Sequence, residues 1–367
     1  LAKQRALKEK KSPPVPEKSE IPAQPTPGDP NRQRASLLVA AIAGLALCLT
    51  IYLLRLDRVF GLIVDDAWYV LLAKALATGQ GYTLINSPSP GITPFYSPGF
   101  PALLSIFYRL WPDFPNNIIL LKSISIAAMM GVGVVAFGYY KRDRGLPVWP
   151  SYALALAVVL FPASVFLATS SVMSECVFTL AQLGAVVLIE RSMREGKADT
   201  GRLAWRFAAM GGLLAAYAFL IRPAGIGLPV AAVIYLFKEK LSKQALIFAA
   251  VVAALVGPWM LYSRSHAPTP EQRAEQGANI VQPYTTQLWQ KVAGQPLAGT
   301  IDASDLPERI GSNLSEIAKY DFGGIAFFPF FRPLEPGEPV RIPSEGRALS
   351  IALMLLALAG YVAALRE

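Results

Sequence analysis

Repeated apolar runs, separated by short basic loops, limit this chain to a membrane-embedded helical fold. The first run, Ser36 to Leu54, carries no charged residue and is long enough to cross a bilayer as a helix. Further runs follow at Ile118 to Tyr140, Ser151 to Thr169, Val172 to Ile189, Phe207 to Ile221, Pro223 to Phe237, Ala245 to Tyr262 and Ala348 to Leu365. With 53% hydrophobic and only 16% charged residues over 367 positions, a soluble globular class is excluded. The expected fold is an all-α polytopic membrane protein.

The net charge of +9 sits in a tail and in loops, without interleaved aromatics, so it points to membrane orientation and not to nucleic acid. Residues 1–34 hold eight Lys or Arg, four Asp or Glu and seven prolines, and read as a disordered, basic, cytoplasmic tail. The short basic loops Lys141 to Arg144, Arg191 to Arg206 and Lys238 to Lys243 share the cytoplasmic side only if Pro98 to Trp111 does not cross. That segment is therefore expected to be a re-entrant or interfacial helix within an outer loop, residues 55–117. The resulting scheme has eight spans, the run from Phe207 to Phe237 being a hairpin broken at Arg222-Pro223. A second outer segment, 264–347, follows the module 35–263, and a further helix occupies 348–367. Because the chain starts at Leu1 and stops just after an apolar run, we expect it to be part of a longer protein.

This scheme places Asp65, Asp66, Glu175 and Arg222 on one side, outside. Adjacent carboxylates repel one another and resist burial, so packing alone does not account for Asp65-Asp66. After them Trp68, Leu71, Leu72 and Ala75 recur at helical spacing, and Gly79-Gln-Gly81 ends the run. A short amphipathic helix is expected there, its N-terminus carrying the carboxylates; the alternative to a chemical role is that Asp65 caps this helix and Asp66 favours its dipole. Arg222, beside Pro223, is either an anion clamp or a snorkelling arginine at a helix end. Cys48 and Cys176 form no disulfide framework or metal-ligand spacing, and Gly131-Val-Gly133 suits helix packing.

Three elements in order, Asp65-Asp66-x-x-Tyr69, Ala73 to Tyr82, and Tyr96-Ser-Pro-Gly-Phe-Pro-Ala-Leu-Leu104, resemble the opening of the GT-C fold glycosyltransferases that use polyprenyl-phosphate sugars, the protein mannosyltransferase and aminoarabinose transferase superfamily. The likeness continues through Ser174-Glu175-x-x-Phe178, Arg222-Pro223 and Pro258-Trp259. It implies a GT-C type transmembrane bundle with extracytoplasmic juxtamembrane helices, set in a bacterial inner (plasma) membrane. It also implies inverting transfer to a hydroxyl on a protein, lipid or glycan acceptor, with Asp65 as general base.

Asp66 would then orient the acceptor, assist a divalent metal or tune Asp65, and Glu175 would assist acceptor or metal. The resemblance assigns the donor phosphate to Arg222 with help from Tyr96, and leaves Tyr69 and Tyr82 near substrate. No cofactor beyond such a metal is expected, the lipid-linked sugar being a substrate. Ser97 stands where the aminoarabinose branch carries lysine, which removes one phosphate contact. The competing class is a transporter or lipid flippase, whose charges would lie near mid-bilayer along a pathway.

Overall fold

The computed structural model describes residues 30–86, 96–198, 203–269, 271–272, 284–292, 296–321 and 344–364. These are helical throughout apart from loops and one isolated bridge, Gln290 to Thr300. The chain divides into two compact units, Leu1–Ile42 and Ala43–Glu367, and the packing below belongs to the second.

The first helix, α1 (Pro30–Arg55), begins inside the stretch expected to be disordered. Proline is pre-set for a first helical position, and the following Asn-Arg-Gln-Arg-Ala contains no breaker, so the helix starts ahead of the apolar run. The rest of the expected tail lies outside the described residues.

The next helices are α2 (Val64–Ala77), α3 (Gly99–Leu110), α4 (Ile118–Gly138), α5 (Val148–Val159), α6 (Pro162–Thr169) and α7 (Glu175–Lys197). They are followed by α8 (Ala204–Ile221), α9 (Gly227–Lys238), α10 (Ser242–Ser265), α11 (Tyr284–Gln287), α12 (Leu306–Glu316) and α13 (Ser344–Ala364). Among the described residues, four stretches are long and apolar enough to cross a membrane: Ile118–Asp143, Glu175–Lys197, Ala204–Ile221 and Ser242–Ser265.

The expected span Ser151 to Thr169 is instead the pair α5 and α6, bent by 49°. Pro162 opens α6, and the N–H it lacks cannot continue the α5 ladder. Counting that pair as one gives up to five candidate spans among the described residues; of the eight expected runs, the first and last are also helical, in α1 and α13. The apolar stretch Pro223–Lys238 is shorter than 18 residues, while Val39–Arg55 and Arg347–Ala363 are the apolar parts of the longer helices α1 (26 residues) and α13 (21 residues). α3, at 12 residues, is too short to cross, in keeping with its expected role.

Side-chain pairs give the helix directions. Ser192 in α7 donates to the Ala204 carbonyl opening α8, while Arg222 just after α8 pairs with Glu175 at the start of α7, so these two helices run antiparallel. Asp143, beyond α4, binds Arg191 and Arg194 near the end of α7, and Lys197 pairs with Glu239 after α9. The three basic loops therefore gather at one end of the unit, and Ser174, Glu175 and Arg222 lie at the other. α7, at 23 residues, separates the two ends by about 35 Å at ~1.5 Å per residue. Gly131 and Gly133 serve packing as expected, facing Leu180 of α7 and Val159 of α5.

Candidate active site

α2 brings both carboxylates to one end of the bundle. Its N-cap is Ile63 and no side chain caps it, so Asp65 does not cap the helix; both acids occupy the first turn, where the helix dipole favours negative charge. At the other end Gly79 takes φ of +76°, its N–H donating to Leu76 O and that of Gln80 to Ala75 O. This paired closure is the Schellman pattern that glycine permits, and it turns the chain towards Tyr82. α3 reaches the same place because Gly99 packs on the backbone of Leu220 and Ile221, where a Cβ would lie 2.7 Å from Leu220 O. Tyr96 is thereby set beside α2, and Arg222 beside α3.

Tyr96 Oη donates to Asp65 Oδ1 at 2.9 Å. The Tyr69 ring meets Tyr96 edge-on at 5.6 Å and Phe100 at 5.2 Å. Its hydroxyl lies 3.2 Å from Ser174 Oγ, which in turn accepts from Arg222 Nη1 at 3.4 Å. Arg222 Nη1 also forms an ion pair with Glu175 Oε1, each side chain being 30% exposed. The break after α8 fixes that guanidinium: Arg222 is extended (φ −143°, ψ 128°) between the end of α8 and a 3-10 turn, Pro223–Ile226. Burial, above all, pushes the Tyr69 hydroxyl up to about 12, with the charges of Arg222, Asp65 and Glu175 also bearing on it. Tyr69 is thus a neutral hydrogen-bonding group at neutral pH, central to one cluster drawn from four distant segments.

Tyr82 joins through its hydroxyl, which donates to Tyr96 O at 2.9 Å, and through an edge-on contact with Trp259 at 5.4 Å. From there Trp259, Tyr262 and His266 stack in succession. Two polar atoms in this region are buried without a partner: Glu175 Oε2 and Asp66 Oδ1. The first belongs to the Arg222 pair and can accept a hydrogen bond from a bound hydroxyl.

Asp66 departs from its expected role. Its residue is fully buried, and Oδ2 accepts the Gly61 N–H at 3.1 Å. Burial raises its carboxyl above the usual carboxylate range despite amide hydrogen bonds and the charge of Lys122. Asp66 anchors loop 56–63 and does not face the Asp65–Tyr96 pair, because successive helical residues point about 100° apart. Asp66→Asn retains an acceptor for Gly61 while removing a carboxyl whose ionised form burial disfavours. Since the raised folded value makes the Asp66 contribution complete at low pH and lost as pH rises, the variant is expected to gain thermal stability relative to wild type at pH 7, with the gain shrinking towards pH 4. A midpoint difference that is flat across this range would contradict the assignment.

A divalent metal finds poor support in these residues. No group of three His, Cys, Asp or Glu suited to a metal occurs among the described residues. One oxygen of Glu175 is held by Arg222 and one of Asp66 by Gly61.

The sequence reading passed over two features. Ser174, quoted only as part of a motif, bridges Tyr69 and Arg222. Lys122 is fully buried near the start of α4 and donates to Asp57 Oδ1 at 2.8 Å, Asp57 O at 3.0 Å and Val59 O at 2.7 Å. Ser170 Oγ donates to Asp57 Oδ2 at 2.6 Å, closing the network over the same loop that Asp66 holds. A lone lysine inside an apolar run was the signal available for it. No protein-family model, curated protein or solved structure matches this chain.

Proposed function

We propose that the chain is an integral membrane glycosyltransferase of the GT-C type, which moves a sugar from a polyprenyl-phosphate donor to a hydroxyl acceptor on the extracytoplasmic face. The observation that carries this reading is the convergence of Asp65, Tyr96, Tyr69, Ser174, Glu175 and Arg222. They unite a base, neutral hydroxyls and a guanidinium at the end of the bundle remote from the basic loops. By the positive-inside tendency that end faces outward, in a bacterial inner membrane. A transporter pathway would instead spread its charges along the bundle.

The chemistry needs one proton transfer and one displacement. The Asp65 carboxylate takes the acceptor hydroxyl's proton on Oδ2 while Tyr96 holds Oδ1. The acceptor oxygen forms its bond to the anomeric carbon as the bond from that carbon to the phosphate oxygen breaks. The electron pair leaves on the polyprenyl phosphate, and the configuration inverts. Arg222, oriented by Glu175 and Ser174, stabilises the departing charge. Glu175 Oε2 accepts from a second hydroxyl on the sugar or the acceptor, ending its buried isolation.

Incubating the protein in membranes with labelled polyprenyl-phospho-mannose, -glucose and -arabinose tests the proposal, with released lipid phosphate as readout. Release with one donor supports it; none with any donor, or label chemistry finding position 65 on the cytoplasmic side, overturns it. Within this reading Arg222→Met lowers kcat by about 10²–10³-fold, the range for losing one preorganised charge donor. Arg222→Lys recovers part of kcat because the charge stays while the fork is lost. Equal kcat in wild type and Arg222→Met would remove Arg222 from the phosphate role.

A further inference from the structure

At the end of the bundle away from Asp65, a groove of about 510 Å³ opens between α4, α7 and α8. Its walls are apolar, with Val134, Val135, Leu188 and Leu214 along them, and Val134 is 59% exposed. Its mouth is basic: Lys141, Arg142 and Arg191 line it. A π-helical turn, Tyr139–Asp143, carries the first two out of register with α4.

Arg191 donates to Asp143 Oδ1 at 3.2 Å and to Asp143 Oδ2 at 2.8 Å, and Arg194 shares that carboxylate. Lys141 and Arg142 form no ion pair among the described residues. Among the described residues around the mouth, the five cations Lys141, Arg142, Arg144, Arg191 and Arg194 outnumber the three acids Asp143, Glu190 and Glu195. The local charge is therefore net positive, with Lys141 and Arg142 outside these ion pairs. At Gly138, which also lines the groove, an added Cβ would meet no atom within 4 Å, so the space beside it is open.

We propose that this groove binds an anionic phospholipid of the adjoining leaflet, its phosphodiester between Lys141 and Arg142 and an acyl chain along Val134, Val135, Leu188 and Leu214. A phosphodiester joined to a hydrocarbon chain matches both halves of the groove: the charge answers the unpaired cations, and the chain covers walls that otherwise face the lipid phase. A free anion would leave the walls uncovered. A zwitterionic lipid would bring its own ammonium to the cationic mouth. The volume lies in the range of small-molecule sites, enough for a headgroup and the first part of a chain. The site is separate from the acidic cluster and does not depend on the transferase reading.

Native mass spectrometry of the purified full chain in neutral detergent tests this, with phosphatidylglycerol and phosphatidylcholine of matched chains and with inorganic phosphate as competitor. One phosphatidylglycerol is expected to be retained per chain at least about ten-fold more tightly than phosphatidylcholine, undisturbed by inorganic phosphate. Lys141→Gln with Arg142→Gln should weaken it roughly 30-fold, about one kcal/mol for each cation removed. Gly138→Leu keeps both charges but fills the groove and should also abolish retention. Lys238→Gln with Lys243→Gln removes equal charge from the same end outside the groove and should leave retention unchanged.

Equal binding of the two lipids, displacement by inorganic phosphate, or the same loss in the Lys238/Lys243 control would overturn the proposal. So would wild-type retention in Gly138→Leu, which decides alone if the charge variant does not fold, since its thermal midpoint and helicity are checked first.

Discussion

Asp65→Asn is expected to fold and bind donor as the wild type does, yet to transfer sugar about 10²–10⁴-fold more slowly, the range that general-base catalysis contributes. The replacement is nearly isosteric. Asn can keep its carbonyl oxygen where Oδ1 now accepts the Tyr96 hydroxyl at 2.9 Å. Its amide nitrogen, standing where Oδ2 was, has no lone pair with which to take the acceptor's proton. The loss should therefore appear in kcat, with KM for donor little changed, because Arg222 and its partners are untouched. Thermal midpoints matched to wild type would separate a chemical defect from a folding one. Undiminished transfer by Asp65→Asn would remove the base assignment and with it the mechanism.

The second large effect concerns stability. Lys122 is wholly enclosed, whereas the Asp57 side chain is 37% exposed, so the two halves of their ion pair are not equivalent. Burial by itself would raise the Asp57 carboxyl, but hydrogen bonds from Lys122, Ser170 and the Val59 amide outweigh it and hold the group below the usual carboxylate range. Asp57→Ala leaves a buried ammonium with two backbone carbonyls for partners. It is expected to cost about 3–5 kcal/mol, as for other half-removed buried pairs. Lys122→Met should cost markedly less, because water can solvate the half-exposed carboxylate left behind.

The double variant should then recover much of what Asp57→Ala loses. Thermal midpoints of the detergent-solubilised proteins measure all three. Equal losses in the two single variants would show that enclosure of Lys122 is not what makes the pair asymmetric. Because the Asp57 value is depressed on folding, its contribution holds above the ordinary carboxylate range and fades as pH falls through the folded value.

The catalytic proposal and the ion pair were not equally visible beforehand. Asp65, Glu175 and Arg222 stand out in sequence because charges at the ends of apolar runs are costly without a use. Their companions do not: Ser174 is an ordinary polar residue until α7 and α8 run antiparallel and set it between Tyr69 and Arg222. Asp66 was misread for the opposite reason. Adjacency in sequence suggested a shared task, and the helical turn sent the two carboxylates to different surroundings.

Periodicity, run length and the placement of Lys and Arg were enough to establish an all-helical, membrane-type chain with α2 and α3 as short helices and a break at Arg222-Pro223. These properties arise from neighbours a few residues apart, along one helix or across one bilayer crossing. Tertiary packing alone decided which charges meet, that Lys122 is sealed under loop 56–63 and that a basic-mouthed groove opens beside Gly138. Contacts between residues far apart in the chain, such as Ser170 with Asp57, 113 positions away, depend on how whole helices stack. No local pattern encodes that choice, because it is made by the combined fit of many side chains at once.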